Sequence, residues 1–322
     1  MIRSVLFLAV VLPLVAATPV PVIFDTDIGN DIDDALALAM LHSLESLGES
    51  KLLAVTITKD CQWAAPYVDL VNHFYRRPAI PIGAVRNGKT PKDTPMIQAP
   101  AERKRPDGSY VYPRKVSNSA VVPEAVTVLM NALERAPGRS VVIIQVGFST
   151  NLARLLDAPE GKRLVSQKVK LLSVMGGAFP DGKPEYNIKT DIPAAKKLFS
   201  EWPTPIVASG YEIGESILYP GRSIEKDYRY VADHPIAESY RAYMKMPYDR
   251  PTWDLTSVLY GVRPNSGYFS LSDPGQIVVD EKGKTRLDTA RRGNHRYLTV
   301  NAEQRKRILA AMVELASRPP DR

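Results

Sequence analysis

Five carboxylates, Asp25, Asp27, Asp31, Asp33 and Asp34, fall within ten residues of the stretch Phe24-Asp25-Thr26-Asp27-Ile28-Gly29-Asn30-Asp31-Ile32-Asp33-Asp34-Ala35-Leu36-Ala37-Leu38. Packing so much negative charge together is costly unless a cation neutralises it. Hard oxygen donors at that density favour calcium or magnesium over zinc. Asp is also common at helix N-termini, where it caps free amides and complements the helix dipole. Capping accounts for Asp33 and Asp34 but leaves Asp25 and Asp27 unexplained.

The elements that must position these groups are legible on either side. Val20 to Phe24 is apolar, β-rich and bounded by turn formers, as a buried strand is. From Ala35 the pattern turns helical through Leu36, Leu38, Ala39, Leu41 and Leu44, with Gly48 as the stop. The acidic loop therefore sits at the carboxyl end of a strand, where open α/β sheets bind their ligands. Further strands are expected at Leu52–Ile57, Ile80–Val85, Val141–Val146, Val169–Met175 and Ile206–Ser209. Helices are expected at Ala65–Tyr75, Glu124–Arg135, from Asn151 and over Pro193–Trp202. That alternation predicts an α/β fold: an open, mostly parallel sheet with helices on both faces and a Rossmann-like core. Gln276–Val279 and Thr285–Leu287 read as a hairpin, and Ala302–Ser317 as a terminal helix. Two stretches break the rhythm. Arg86–Asn118 is long, basic and Pro-rich, and such loops are usually functional lids; Tyr219–His234 is a polar excursion.

Met1 to Ala17 has a single Arg3 followed by an uncharged apolar run, with small residues before the position after Ala17. This reads as a secretory signal peptide, and the protein as exported, periplasmic or secreted, with no membrane anchor after cleavage. Residues 18–322 are then expected to form one domain. Cys61 is the sole cysteine, so no intramolecular disulfide forms. The net charge of +7 is spread over loops and helix faces without aromatic interleaving, which speaks against nucleic acid as a partner.

Three later stretches carry chemistry-bearing residues. Gly147-Phe148-Ser149-Thr150-Asn151-Leu152-Ala153 follows one strand. Met175-Gly176-Gly177, Glu185-Tyr186-Asn187-Ile188 and Asp191-Ile192-Pro193-Ala194-Ala195 follow the next, and Pro251-Thr252-Trp253-Asp254-Leu255 opens an apolar helix. Taken alone, Asp191 and Asp254 read as helix caps. In this order, with the acidic loop, the four blocks resemble the nucleoside hydrolases, the inosine–uridine-preferring hydrolase family. A strand followed by DxD also opens the haloacid-dehalogenase-type phosphatases, but the Asp33-Asp34-Ala35-Leu36 helix is foreign to them.

The resemblance implies calcium-dependent hydrolysis of the N-glycosidic bond of a small-molecule ribonucleoside, giving free base and ribose. It implies calcium ligands at Asp27, Asp34, Asp254 and the Thr150 main-chain carbonyl, and a general base at Asp33. Glu185 and Asn187 would hold sugar hydroxyls. Family members are commonly dimers or tetramers, so a homo-oligomer is implied, although no interface is legible. A catalytically silent, calcium-dependent binder of ribosyl compounds is the alternative, as is a hydrolase of another ribosyl substrate.

The departures are as informative. Three residues, Asn30-Asp31-Ile32, stand where the family has one. Counting from Asp27 puts the base on Asp31; counting back from Ala35 puts it on Asp33, the preferred count because the helix start fixes the carboxylate directions. Lys59-Asp60-Cys61 replaces the family's Val-Gly-Asn, and Cys61 reads as a small buried residue. Trp253 stands where many members have a His that protonates the leaving base. It would stack on the base instead, which predicts that purine nucleosides are favoured. His42, His73, His234 and His295 match no family position and read as structural or exposed.

Overall fold

The computed structural model describes residues 18–180 and 182–321; the expected signal peptide lies outside the described residues. Strands β1 (Val20–Thr26), β2 (Ser50–Lys59), β3 (Ile82–Lys89), β4 (Val141–Gln145), β5 (Val169–Met175), β6 (Ile206–Ser209), β7 (Ser270–Leu271) and β8 (His295–Thr299) form one sheet in the order β3-β2-β1-β4-β5-β6-β8-β7. Every pairing is parallel except that of β8 with β7. Strand order reverses at β1, which lies between β2 and β4. The crevice for a ligand opens beyond the carboxyl ends of strands at such a switch.

Two apolar layers cover the sheet, and the alternation along each strand divides them. Val22, Phe24, Val142 and Ile144 face the layer that holds the helices Asp33–Ser46, Ala64–Phe74, Trp253–Val262 and Ala302–Ala316. Ile23, Val141 and Ile143 face the layer of Ala125–Arg135, Thr150–Asp157, Gly161–Lys168 and Ile192–Glu201. Successive strand residues point to opposite faces, so an unbroken apolar run such as Val141 to Ile144 is what a doubly covered strand requires. The helix Asp33–Ser46 is buried along nearly its whole length, from Asp33 to Leu44, and its two leading carboxylates are buried with it.

The fold departs from the sequence expectations at several places, of which three bear on the stretches already singled out or on the sheet. Arg86–Asn118 is not structureless: β3 runs on to Lys89, and Pro95–Glu102 is a helix with Pro at its first turn and Pro100 inside it. Tyr219–His234 contains the helix Gly221–Lys226, and Leu218–Tyr219 pairs antiparallel with Arg250–Pro251. Strand β8 was not anticipated, because His295-Arg296-Tyr297-Leu298-Thr299 lacks a β-rich apolar run; only His295 and Leu298 are buried. The hairpin Gln276–Val279 with Thr285–Asp288 is present. Among the described residues no helix is long and apolar enough to cross a membrane.

Candidate active site

The acidic loop turns at Gly29, whose φ of +110° lies in the left-handed region that an L side chain avoids. A second glycine brings another strand end against it. A Cβ on Gly147 would lie 2.6 Å from the Asp27 amide nitrogen and 2.4 Å from the Thr58 hydroxyl. The turn after β4 therefore approaches the loop after β1 backbone to backbone.

These loops, with the ends of β4 and β5 and the start of the Trp253–Val262 helix, enclose a cavity of ≈ 370 Å³. Asp27, Asn30, Asp31, Asp33, Asp34 and Asp254 line one side. Val146, Met175, Glu185, Tyr186, Asn187, Tyr211, Arg250 and Trp253 complete the wall. Asp33, Asp34 and Asp254 are the closest group of carboxylates, each offering an oxygen within 4.8 Å of the others. Neither Asp33 nor Asp34 is an N-cap; Ile32 holds that position without a side-chain bond. Asp254 follows Thr252 and Trp253 into its helix and caps nothing, while its backbone N–H donates to Asp33 Oδ2 at 3.0 Å. Capping thus explains none of the three.

Their electrostatics set this cluster apart. Burial, then repulsion from neighbouring carboxylates, pushes Asp33, Asp34 and Asp254 well above the ordinary carboxylate range. Burial raises Asp27 to about 6, against a hydrogen bond from Asn30 that lowers it. Asp25, also buried, is pushed to about 7, although Thr56 and Asn151 both donate to its Oδ1 at 2.6 and 2.8 Å. Carboxylates crowded in this way are stabilised by a cation held among them, and their oxygens are the donors a hard divalent ion takes. The residues present therefore fit a metal ion.

The two carboxylates that the sequence offers as base stand in different surroundings. Asp31 is gripped by Arg250: Nε donates to Oδ1 at 2.9 Å and Nη2 donates to Oδ2. Asp33 lies in the carboxylate cluster. The inserted residues act as a brace. Asn30 donates to Asp27 Oδ2 at 2.7 Å and accepts from the buried Lys59 Nζ at 2.9 Å. Lys59 also donates to the Thr90 carbonyl at 2.7 Å. The lysine standing in the family's Val-Gly-Asn place thus reaches Asp27 through Asn30. Cys61 is buried, and burial pushes its thiol up.

Of the other expected residues, Glu185, Asn187 and Trp253 line the cavity. The Glu185 carboxylate accepts from the N–H groups of Gly177, Asn187 and Ile188, and burial raises it to about 7. Asn187 Nδ2 donates to the Val146 carbonyl at 2.7 Å. Trp253 stacks on Tyr211, centroids 5.5 Å apart at 29°, and donates from Nε1 to the Tyr211 carbonyl at 3.0 Å. Thr150 does not line the cavity; its hydroxyl donates to Asp191 at 2.6 Å, and Asp191 caps the next helix as expected. No residue of Arg86–Asn118 lines the cavity either. Instead Thr94 donates to the Gly29 carbonyl at 2.7 Å, and Thr90 holds Asn30 and Lys59, so the segment props the acidic loop from behind. The four histidines lie outside the lining. His42 packs on Tyr75 and is depressed by burial to about 3.

Arg250 and Tyr211 were not found from the sequence. The only trace of the first was a cation four residues ahead of Asp254 in Arg250-Pro251-Thr252-Trp253-Asp254; Tyr211 gave none.

The profile of the inosine-uridine preferring nucleoside hydrolase family matches residues 22–312. No curated protein matches the chain in sequence. Among solved structures, a plant nucleoside hydrolase is 22% identical with a TM-score of 0.63, over 94% of this chain and 100% of that one. An inosine–guanosine nucleoside hydrolase is 19% identical with a TM-score of 0.69, over 92% and 98%. The inosine-uridine preferring nucleoside hydrolase of Bacillus anthracis is 18% identical with a TM-score of 0.69, over 92% and 99%. These likenesses describe the fold.

Proposed function

The chain belongs to the inosine-uridine preferring nucleoside hydrolase family, and from that premise we propose a calcium-dependent ribonucleoside hydrolase that favours purine nucleosides. Membership makes it a metal-dependent nucleoside ribohydrolase; the ion's identity, the base preference and the residue roles are our reading. The observation that carries it is the buried Asp33–Asp34–Asp254 cluster in the wall of a nucleoside-sized cavity.

Asp27, Asp34 and Asp254 would hold the ion. The Thr150 carbonyl joins them by family resemblance, since the Thr150 hydroxyl is committed to Asp191. When bound, a calcium ion supplies charge that acidifies and orients a water molecule and grips the ribose hydroxyls. Asp33 is the base that takes the water's proton, and its place among the carboxylates rather than in an ion pair supports this over Asp31. Glu185 and Asn187 lie where sugar hydroxyls would be held. Orientation of water and sugar lowers the barrier by entropy already spent in binding. The sugar becomes oxocarbenium-like as the bond to the base breaks. Trp253 and Tyr211 offer a flat aromatic wall on which the larger purine stacks better than a pyrimidine.

The reading also keeps the protein as exported and as one domain from residue 18, with a homo-oligomer expected from the family. Incubating the purified protein with inosine, guanosine, uridine and cytidine, with calcium or chelator, and assaying free ribose tests it. Calcium-dependent ribose release, fastest from the purine nucleosides, is expected. Saturable nucleoside binding without release would replace the enzyme by the silent binder.

A further inference from the structure

Arg250 is the one Lys, Arg or His that lines the cavity among the described residues. Its guanidinium lies 5.1 Å from the Tyr243 ring centroid and 5.3 Å from that of Trp253. Asp31 takes its Nε and Nη2 edge in a two-point grip. Nη1 has no hydrogen-bond partner among the described residues, so a donor with a fixed orientation is left over in the wall of the site. A two-point carboxylate grip sets the plane of a guanidinium in a way that it could not set a lysine.

The reaction of the proposed function leaves a demand for a donor to the departing base, and Arg250 is the one cationic donor among the described lining residues. The base departs with the bonding pair, and the cavity wall offers no imidazole to protonate it. We propose that Arg250 is a catalytic residue on the leaving-group side, donating from Nη1 to the departing base, and that Asp31 is its positioning residue. This rests on the ribohydrolase reading. The C1′–N bond breaks with both electrons passing to the base, and the water oxygen bonds to C1′ as its proton passes to Asp33. The base anion, hydrogen-bonded to Arg250, takes a proton from solvent, and Asp33 returns one to solvent. Nucleoside and water become ribose and neutral base, and Arg250 keeps all its protons, as a guanidinium must. The two extra residues within Asn30-Asp31-Ile32 then have a use: the lengthened loop supplies the carboxylate that aims the arginine.

The test compares two leaving groups on one protein. Inosine needs help to release its base, whereas 4-nitrophenyl β-D-ribofuranoside releases an anion that is stable without a donor. Arg250→Gln should lower kcat/KM on inosine about a hundredfold or more, as loss of one preorganised donor does, and on the nitrophenyl riboside less than tenfold. Asp31→Asn should show the same leaving-group bias in smaller degree, which a residue that merely braced the loop would not produce. Both substrates meet the same preparation, so any loss of folded protein lowers both alike. Equal fractional losses on the two substrates overturn the role of Arg250 and leave the hydrolase reading standing. No turnover of either substrate by the wild-type protein overturns both.

Discussion

Replacing Asp254 by Asn should move stability in opposite directions with and without metal. Asp33, Asp34 and Asp254 each place an oxygen within 4.8 Å of the other two. Two unit charges at 4.8 Å in a medium of effective dielectric about 20 repel by 332/(20 × 4.8), about 3.5 kcal/mol. Asp254 takes part in two such pairs, and protonation relieves much of that repulsion before it is fully expressed. A net gain on the order of 1–3 kcal/mol is expected when its charge is removed. The side chain of Asp254 accepts no hydrogen bond from the described residues, so the amide forfeits little. In chelator, Asp254→Asn should melt roughly 2–6 °C above the wild type. In calcium the order reverses, because the wild type gains about 4.1 kcal/mol at a thousandfold excess over Kd and the variant gains almost nothing. Differential scanning calorimetry in both buffers, with calcium titration calorimetry alongside, reads this out. A variant less stable than wild type in chelator, or one that keeps the full calcium shift, would refute the idea of a repulsive cluster completed by a cation.

Asp33→Asn should lower turnover by about a thousandfold or more with calcium binding retained, and Asp31→Asn far less; single-turnover ribose release with both variants checks the ranking, and the reverse order moves the base to Asp31. Trp253→Ala should narrow the purine-to-uridine ratio of kcat/KM by about tenfold or more, since stacking is worth roughly 1–3 kcal/mol per base; an unchanged ratio removes Trp253 from base selection. Burial holds His42 at about 3 in the fold against about 6.5 when unfolded, so the unfolded chain takes the proton first and stability is lost as pH falls from about 6.5 towards 3. Each pH unit in that window costs about 1.4 kcal/mol. Urea unfolding at several pH values should therefore show the stability gap between wild type and His42→Gln closing at that rate, and a pH-independent gap would mean that His42 is charged in the fold.

What the sequence discloses follows from which signals are local. Doubly covered strands are unbroken apolar runs, so Val141–Gln145 and Val169–Met175 stand where the residues predict them within a residue. The helix Pro95–Glu102 escaped because Pro95 and Pro100 conceal its period, and β8 escaped because its pairing with β6 comes from tertiary position. The cavity side of the site shows the same division. Asp27, Asp33, Asp34, Glu185, Asn187, Trp253 and Asp254 sit in compact blocks and all line the cavity. Arg250 and Tyr211 reach it from stretches without a block of their own, and only the fold reveals that Asp31 and Arg250 meet.

The contact between Asp33 and the Asp254 amide joins residues 221 positions apart in sequence. The carboxylate cluster can therefore exist only where the Trp253–Val262 helix is docked against the Asp33–Ser46 helix. Closing a loop of that length costs chain entropy, which the packing of the two helices must offset. The site then works as a clasp across the molecule. An ion gripping Asp34 and Asp254 would tie the first helix of the chain to the Trp253–Val262 helix, a second fastening across a molecule whose early and late segments are already joined by the pairing of β1 with β4.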